Sequence, residues 1–112
     1  MQTIVFKLTK LKARRVIKEA MSVAKSIIVD ELDCNKSFRR VPTKKTPEEI
    51  LKLAFDNKCE FIRWHFVVRP NRADNRTDIG CSVGLLKTYF LWIDVPLEKA
   101  MEIANKYKLK VL

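Results

Sequence analysis

Residues 60–69, Glu-Phe-Ile-Arg-Trp-His-Phe-Val-Val-Arg, alternate in a way that few folds accommodate. Successive side chains of a strand point to opposite faces. Ile62, Trp64, Phe66 and Val68 therefore share one face, and Phe61, Arg63, His65, Val67 and Arg69 share the other. The first face is wholly apolar and must be covered. The second mixes apolar side chains with cations and a histidine, and it tolerates water. A strand of this kind belongs to an antiparallel sheet covered mainly on one side.

The rest of the chain supplies the cover. Ala13, Val16, Ile17, Ala20, Met21, Ala24, Ile27 and Ile28 recur every three or four residues. That period predicts an amphipathic helix over roughly residues 10–31. Thr46-Pro47-Glu48-Glu49 predicts a second helix start, with an N-cap Thr, Pro in the first helical position and Glu three residues after the cap. Ile50, Leu51, Ala54 and Phe55 give this helix a buried side, and it should end near Asn57-Lys58. Pro96-Leu97-Glu98 opens a third, with Leu97, Ala100, Met101 and Ala104 inward.

Further strands are expected at residues 2–8, over a short run near Phe38–Val41, over 81–94 with a bulge near Gly84, and at 109–112. Thr88–Ile93 is apolar on both faces and belongs in the middle of the sheet. Residues 33–45 and Pro70–Asp78 read as loops. With only two glycines, Gly80 and Gly84, the chain has few positions suited to tight hairpin turns. The expected class is α+β, with an antiparallel sheet of about four strands and helices mainly on one face. If the middle loop and helix are an insertion, the order is β-α-β-β-α-β, as in ferredoxin-like folds. A length of 112 residues predicts a single domain over 1–112.

Charge divides this domain. Residues 1–45, a basic strand-helix-loop part, hold 12 Lys/Arg and 4 Asp/Glu. Residues 46–112, the sheet and helix part, hold 11 against 9. The formal net charge is +10. Lys10, Lys12, Arg14, Arg15 and Lys18 crowd the start of the first helix, and no acid precedes Glu19. Each cation there opposes the helix dipole by roughly 0.3–1 kcal/mol. Arg14, Lys18 and Lys25 form a stripe opposite the apolar side. The following loop adds Lys36, Arg39, Arg40, Lys44 and Lys45 around Phe38.

Such a cluster predicts a small, non-enzymatic binding protein that holds nucleic acid, RNA or DNA, by electrostatics. With about six phosphate contacts the log–log salt slope on duplex DNA would be near −5. The alternative is a protein-interaction module, an adaptor, inhibitor or homodimer, that docks an acidic or apolar surface. A secondary basic face comprises Arg63, His65 and Arg69 with Arg72 and Arg76. His65 there gives the one enzymatic alternative, a small ribonuclease.

Trp64, Phe66, Phe90 and Trp92 suit core packing first and a base-stacking platform second. No phosphate-loop, dinucleotide or metal-ligand spacing is present, so no cofactor and no metal is expected. Cys34, Cys59 and Cys81 are an odd number without CxxC spacing, which fits a reducing, cytoplasmic setting. No apolar run approaches a membrane span or a signal peptide, so no membrane association is expected.

Overall fold

The computed structural model describes residues 3–33, 39–56, 58, 63–69, 76–83 and 87–112. Of these, 33, 39–40, 63, 76–83 and 87 are described by backbone alone. The chain is α+β. Strand β1 (Ile4–Lys7) leads into helix α1 (Lys10–Ser22), then strands β2 (Ser26–Asp33) and β3 (Arg39–Pro42). Helix α2 (Pro47–Phe55) precedes strands β4 (Arg63–Val68), β5 (Arg76–Val83) and β6 (Lys87–Pro96). Helix α3 (Leu97–Lys106) and the short strand β7 (Lys110–Val111) complete it.

The strands form one sheet in the order β3-β2-β6-β5-β4-β1-β7, and every neighbouring pair is antiparallel. Among the described residues, seven strands stand where about four were expected. With the middle loop and α2 set aside, as the ferredoxin-like order requires, β2 and β3 still add to the sheet and β5 and β6 stand where one strand was expected, so the β-α-β-β-α-β comparison is a loose one. Helix α2 is no insertion at the margin, because it packs on β5 and β6.

Each helix makes the same kind of crossover. The helices join β1 to β2, β3 to β4 and β6 to β7, and each jump skips three strands. Strand β1 runs parallel to β2, while β3 and β6 run opposite to it. The jump from β1 goes one way along the sheet and the other two go the opposite way. A half-turn about the sheet normal relates these cases, so right-handed crossovers put all three helices on one face. The midpoints of the jumps put α1 between α2 and α3. Contacts agree: Arg14 of α1 lies over the Phe55 ring of α2, and Glu19 of α1 meets Lys106 of α3.

The helix-side face of the sheet forms the core. Phe66 and Val68 of β4 and Leu91, Ile93 and Val95 of β6 are fully buried there. Val16 and Ile17 of α1, Ile50 of α2 and Ile103 of α3 close over them. Burying one such side chain is worth about 1.5–3 kcal/mol. Phe6 and Phe66 meet with ring centroids 6.1 Å apart, and Phe55 stacks on Trp64 at 5.0 Å. The alternation read at 60–69 is therefore correct for the described residues 63–69. Trp64, Phe66 and Val68 face the helices, and His65, Val67 and Arg69, each half-buried, lie on the side of the sheet away from them.

Three expected boundaries are corrected. The first helix ends at Ser22, not near 31, and Ile27 and Ile28 belong to β2. Val23 caps it, donating its N–H to the Ala20 carbonyl at 3.2 Å, and the Ser22 hydroxyl bonds back to the Glu19 carbonyl at 2.6 Å. The loop expected up to Asp78 gives way to β5 at Arg76. The stretch expected as one broken strand over 81–94 is two antiparallel strands, β5 and β6, with Gly84 and its bulge outside the described residues. Strand β6 is flanked on both sides, as its apolar composition requires.

Candidate functional site

The outer surface of α1 is where the cations gather. Thr9 caps the helix, its hydroxyl accepting the Lys12 N–H at 3.2 Å. Ala13, Val16, Ile17 and Ala20 face the sheet, so the residues between them must face away. Lys10, Arg14, Arg15 and Lys18 are exposed, and Lys12 is half-buried at the flank. Leu11 stands among them at 81% exposure, an apolar side chain that the core does not use.

The neighbouring helices are balanced and α1 is not. Helix α1 carries five Lys/Arg against one Glu, α2 one Lys against two Glu, and α3 two Lys against two Glu. The single acid of α1, Glu19, is already committed. It pairs with Lys106 and accepts the Tyr107 hydroxyl at 3.2 Å. The Lys106 hydrogen bond holds the Glu19 carboxyl below its ordinary range, and Glu19 in turn raises the Lys106 ammonium. Arg15 and Lys18 make no ion pair with any described residue. Arg14 rests on Phe55, its guanidinium carbon 4.3 Å from the ring centroid. That contact is a cation–π one, and Arg14 as a whole stays exposed.

No family model, no curated protein and no solved structure matches this chain.

The remaining basic residues are spread around the fold. Lys25 lies beyond α1, in the turn before β2, and its N–H donates to the Asp94 carbonyl at 2.8 Å. It is thus absent from the helix stripe where the periodicity placed it. Arg39 and Arg40 lie in β3 at the sheet edge. Lys36 and Arg72 are outside the described residues. Lys44 and Lys45 precede α2, and α2 starts at the end of the sheet opposite to the start of α1, because β3 runs against β1. Lys45 is turned inward, 4.0 Å from the Glu49 carboxylate and 5.3 Å from the Tyr89 ring centroid. It lines a groove of about 440 Å³ with Glu31, Thr43, Lys44 and Tyr89, where the Thr43 hydroxyl donates to Glu31 at 3.3 Å.

His65 and Arg69, both half-buried, lie on the face away from the helices, with the sheet between them and α1. His65 is registered with Lys7 on one side and Gly80 on the other. Arg63 belongs to β4 and Arg76 to β5. The aromatic quartet divides. Trp64 and Phe66 pack under the helices, whereas Phe90 and Trp92, both half-buried, stack on the opposite face with centroids 6.3 Å apart. Arg69 lies 6.0 Å over the Trp92 ring. Among the described residues no cluster of three His, Cys, Asp or Glu could hold a metal ion, and no helix is long and apolar enough to cross a membrane.

Proposed function

We propose that the protein binds nucleic acid through the outer surface of α1, by electrostatic attraction to the phosphate backbone. The observation that carries this reading is the excess of cations on the central helix, with Arg15 and Lys18 in no ion pair with any described residue, between two neighbours whose charges balance. Cations at a helix N-terminus weaken that helix, so stability alone favours acids there, as in α2. The exposed backbone N–H end and the flanking Arg and Lys side chains together suit an anionic oxygen. Arginine forks match phosphate geometry, and Arg14 is held ready for such a contact by Phe55.

Contacts of this kind read charge and spacing, with little base information. The binding is thus weakly sequence-specific. If the five basic residues of α1 each neutralise a phosphate, log K falls against log salt with a slope of about −4 to −5 on duplex DNA. Fluorescence polarisation with labelled duplex and single-stranded oligonucleotides over a salt series tests this. The double reversal Arg15→Glu, Lys18→Glu should weaken binding at least about tenfold and flatten the slope. Affinity that ignores salt, or that survives the double reversal, overturns the reading.

A further inference from the structure

Helix α1 places a leucine among its cations. We infer that the nucleic acid held by α1 is single-stranded, with an unstacked base against Leu11, an inference that rests on the binding surface proposed for α1.

Leu11, Arg14, Arg15 and Lys18 stand at i, i+3, i+4 and i+7, so they share the outer ridge of the helix. The ridge spans about 10 Å. All four residues are exposed, Leu11 at 81%. Among the described residues no other large apolar side chain is as exposed. A leucine adds nothing to phosphate binding and occupies a position that a cation could fill. What it can gain from a ligand is burial of apolar surface.

A duplex does not present that surface. Its base faces are stacked inside, and a protein reaches the base edges only through a groove. The B-form major groove is about 12 Å wide, room for one helix. Helix α1 is not free to enter it. Ala13, Val16, Ile17 and Ala20 are buried along its length, so it lies flat on the sheet. Its start is tied down as well, because Leu8 is buried and donates its N–H to the Trp64 carbonyl at 3.1 Å. Helices α2 and α3 flank it through Arg14–Phe55 and Glu19–Lys106. With axes about 8–10 Å apart, three such helices make a layer roughly 30 Å wide. A-form RNA offers no easier entry. Its major groove is narrow, and its shallow minor groove shows hydroxyls and polar base edges.

The charge beside the ridge also suits one strand. On α3, Lys106 pairs with Glu19, and Lys99 lies 3.5 Å from Glu102. Glu19, Lys99, Glu102 and Lys106 line one small hollow, where their charges cancel. On α2, Lys52 lies one turn from both Glu48 and Asp56. The strip of excess positive charge is thus one helix wide, and it serves a single row of phosphates. A single strand supplies that row, and its bases can splay out and lay a face on an exposed side chain. Contact with a base face is tolerant of sequence.

Fluorescence polarisation with a labelled strand of about 20 nucleotides, free of self-complementarity, tests this against the same strand annealed to its complement. At equal salt the single strand should bind at least about tenfold tighter than the duplex. With five phosphate contacts its log–log salt slope should be about −3 to −4. Leu11→Ala should weaken binding of the strand about fivefold with the slope unchanged, since no charge is removed. Leu11→Phe should restore or exceed the wild-type affinity, because an aromatic ring stacks on a base.

A duplex bound as tightly as the single strand overturns the inference and leaves the binding surface on α1 standing. So does a Leu11→Ala variant that keeps the affinity for the strand, or that weakens strand and duplex alike. Binding to neither form overturns the proposed function, and the inference with it.

Discussion

The N–H of Lys12 donates to the Thr9 hydroxyl at 3.2 Å, the bond that Glu49 gives to Thr46 at the same distance at the head of α2. The two helix starts share a cap and differ in the side chain three residues on. In α2 that residue is Glu, whose carboxylate also accepts the Thr46 hydroxyl at 3.3 Å. In α1 it is a lysine.

Lys12→Glu would convert the first start into the second. It completes a capping box and places an acid at the positive end of the dipole. The expected gain is about 0.5–1 kcal/mol in chemical denaturation, with weaker oligonucleotide binding in the same variant. Gain in stability with unchanged binding would remove Lys12 from the binding surface.

The Glu19–Lys106 pair predicts a pH dependence at both ends of the range. The Glu19 carboxyl is lowered in the folded chain, chiefly by its Lys106 hydrogen bond, so its contribution is present above the unfolded carboxylate pKa and disappears as pH falls through the folded one. The Lys106 ammonium is raised, so its contribution holds below the unfolded lysine pKa and is lost as pH rises through the folded value. Glu19→Gln should lower Tm at neutral pH and leave a smaller difference from wild type in acid. Thermal melts from acid to neutral pH measure this.

Lys108 sits at φ 49° immediately after α3. Its N–H bonds the Asn105 carbonyl at 3.2 Å and the next N–H, from Leu109, bonds Ala104 at 3.0 Å, which together form a Schellman C-cap. The left-handed position costs a side-chain-bearing residue about 1 kcal/mol. Lys108→Gly should recover about 0.5–1 kcal/mol, read as a raised denaturation midpoint.

Phe66 is fully buried at the centre of the helix-side face and touches Phe6. Phe66→Ala should cost about 3–5 kcal/mol through lost transfer energy and the cavity left behind. His65→Ala, one residue away on the opposite face and only half-buried, should cost far less. Equal losses at the two positions would contradict the placing of the core between the sheet and the helices.

How much of this was legible depends on the range over which each feature is determined. The cap at Thr46 is local, and it was read residue by residue. The alternation through Trp64 and Phe66 is local too. Strand β2 was missed because Ile27 and Ile28 fit a helical period as well as a strand, and what decides between them is pairing with β6 from Ser26–Asp94 to Asp33–Lys87. The β-branched run Ile27-Ile28-Val29 was the signal available. The start of β5 was hidden by Arg76, Asp78 and Gly80, residues that rarely favour strands, and pairing on both sides holds them there. At the candidate site, the cation cluster was plain in sequence. Its position on the middle helix was not, nor was the separation of Lys44 and Lys45 from it, because both follow from the direction of β3.

The three crossovers, each stepping over three strands, have a kinetic consequence. No helix joins two strands that touch, so no strand-helix-strand segment can form a paired unit by itself. Among the described residues the sequence-adjacent pairings are the hairpins β2-β3, β4-β5 and β5-β6. Strand β1 stays without a neighbour until β4, nearly sixty positions later in the chain, closes on it through Ile4–Val68. Contacts so distant in sequence make for slow folding. The meander β4-β5-β6 is then the natural nucleus, and the basic N-terminal helix settles onto a sheet whose centre is already built.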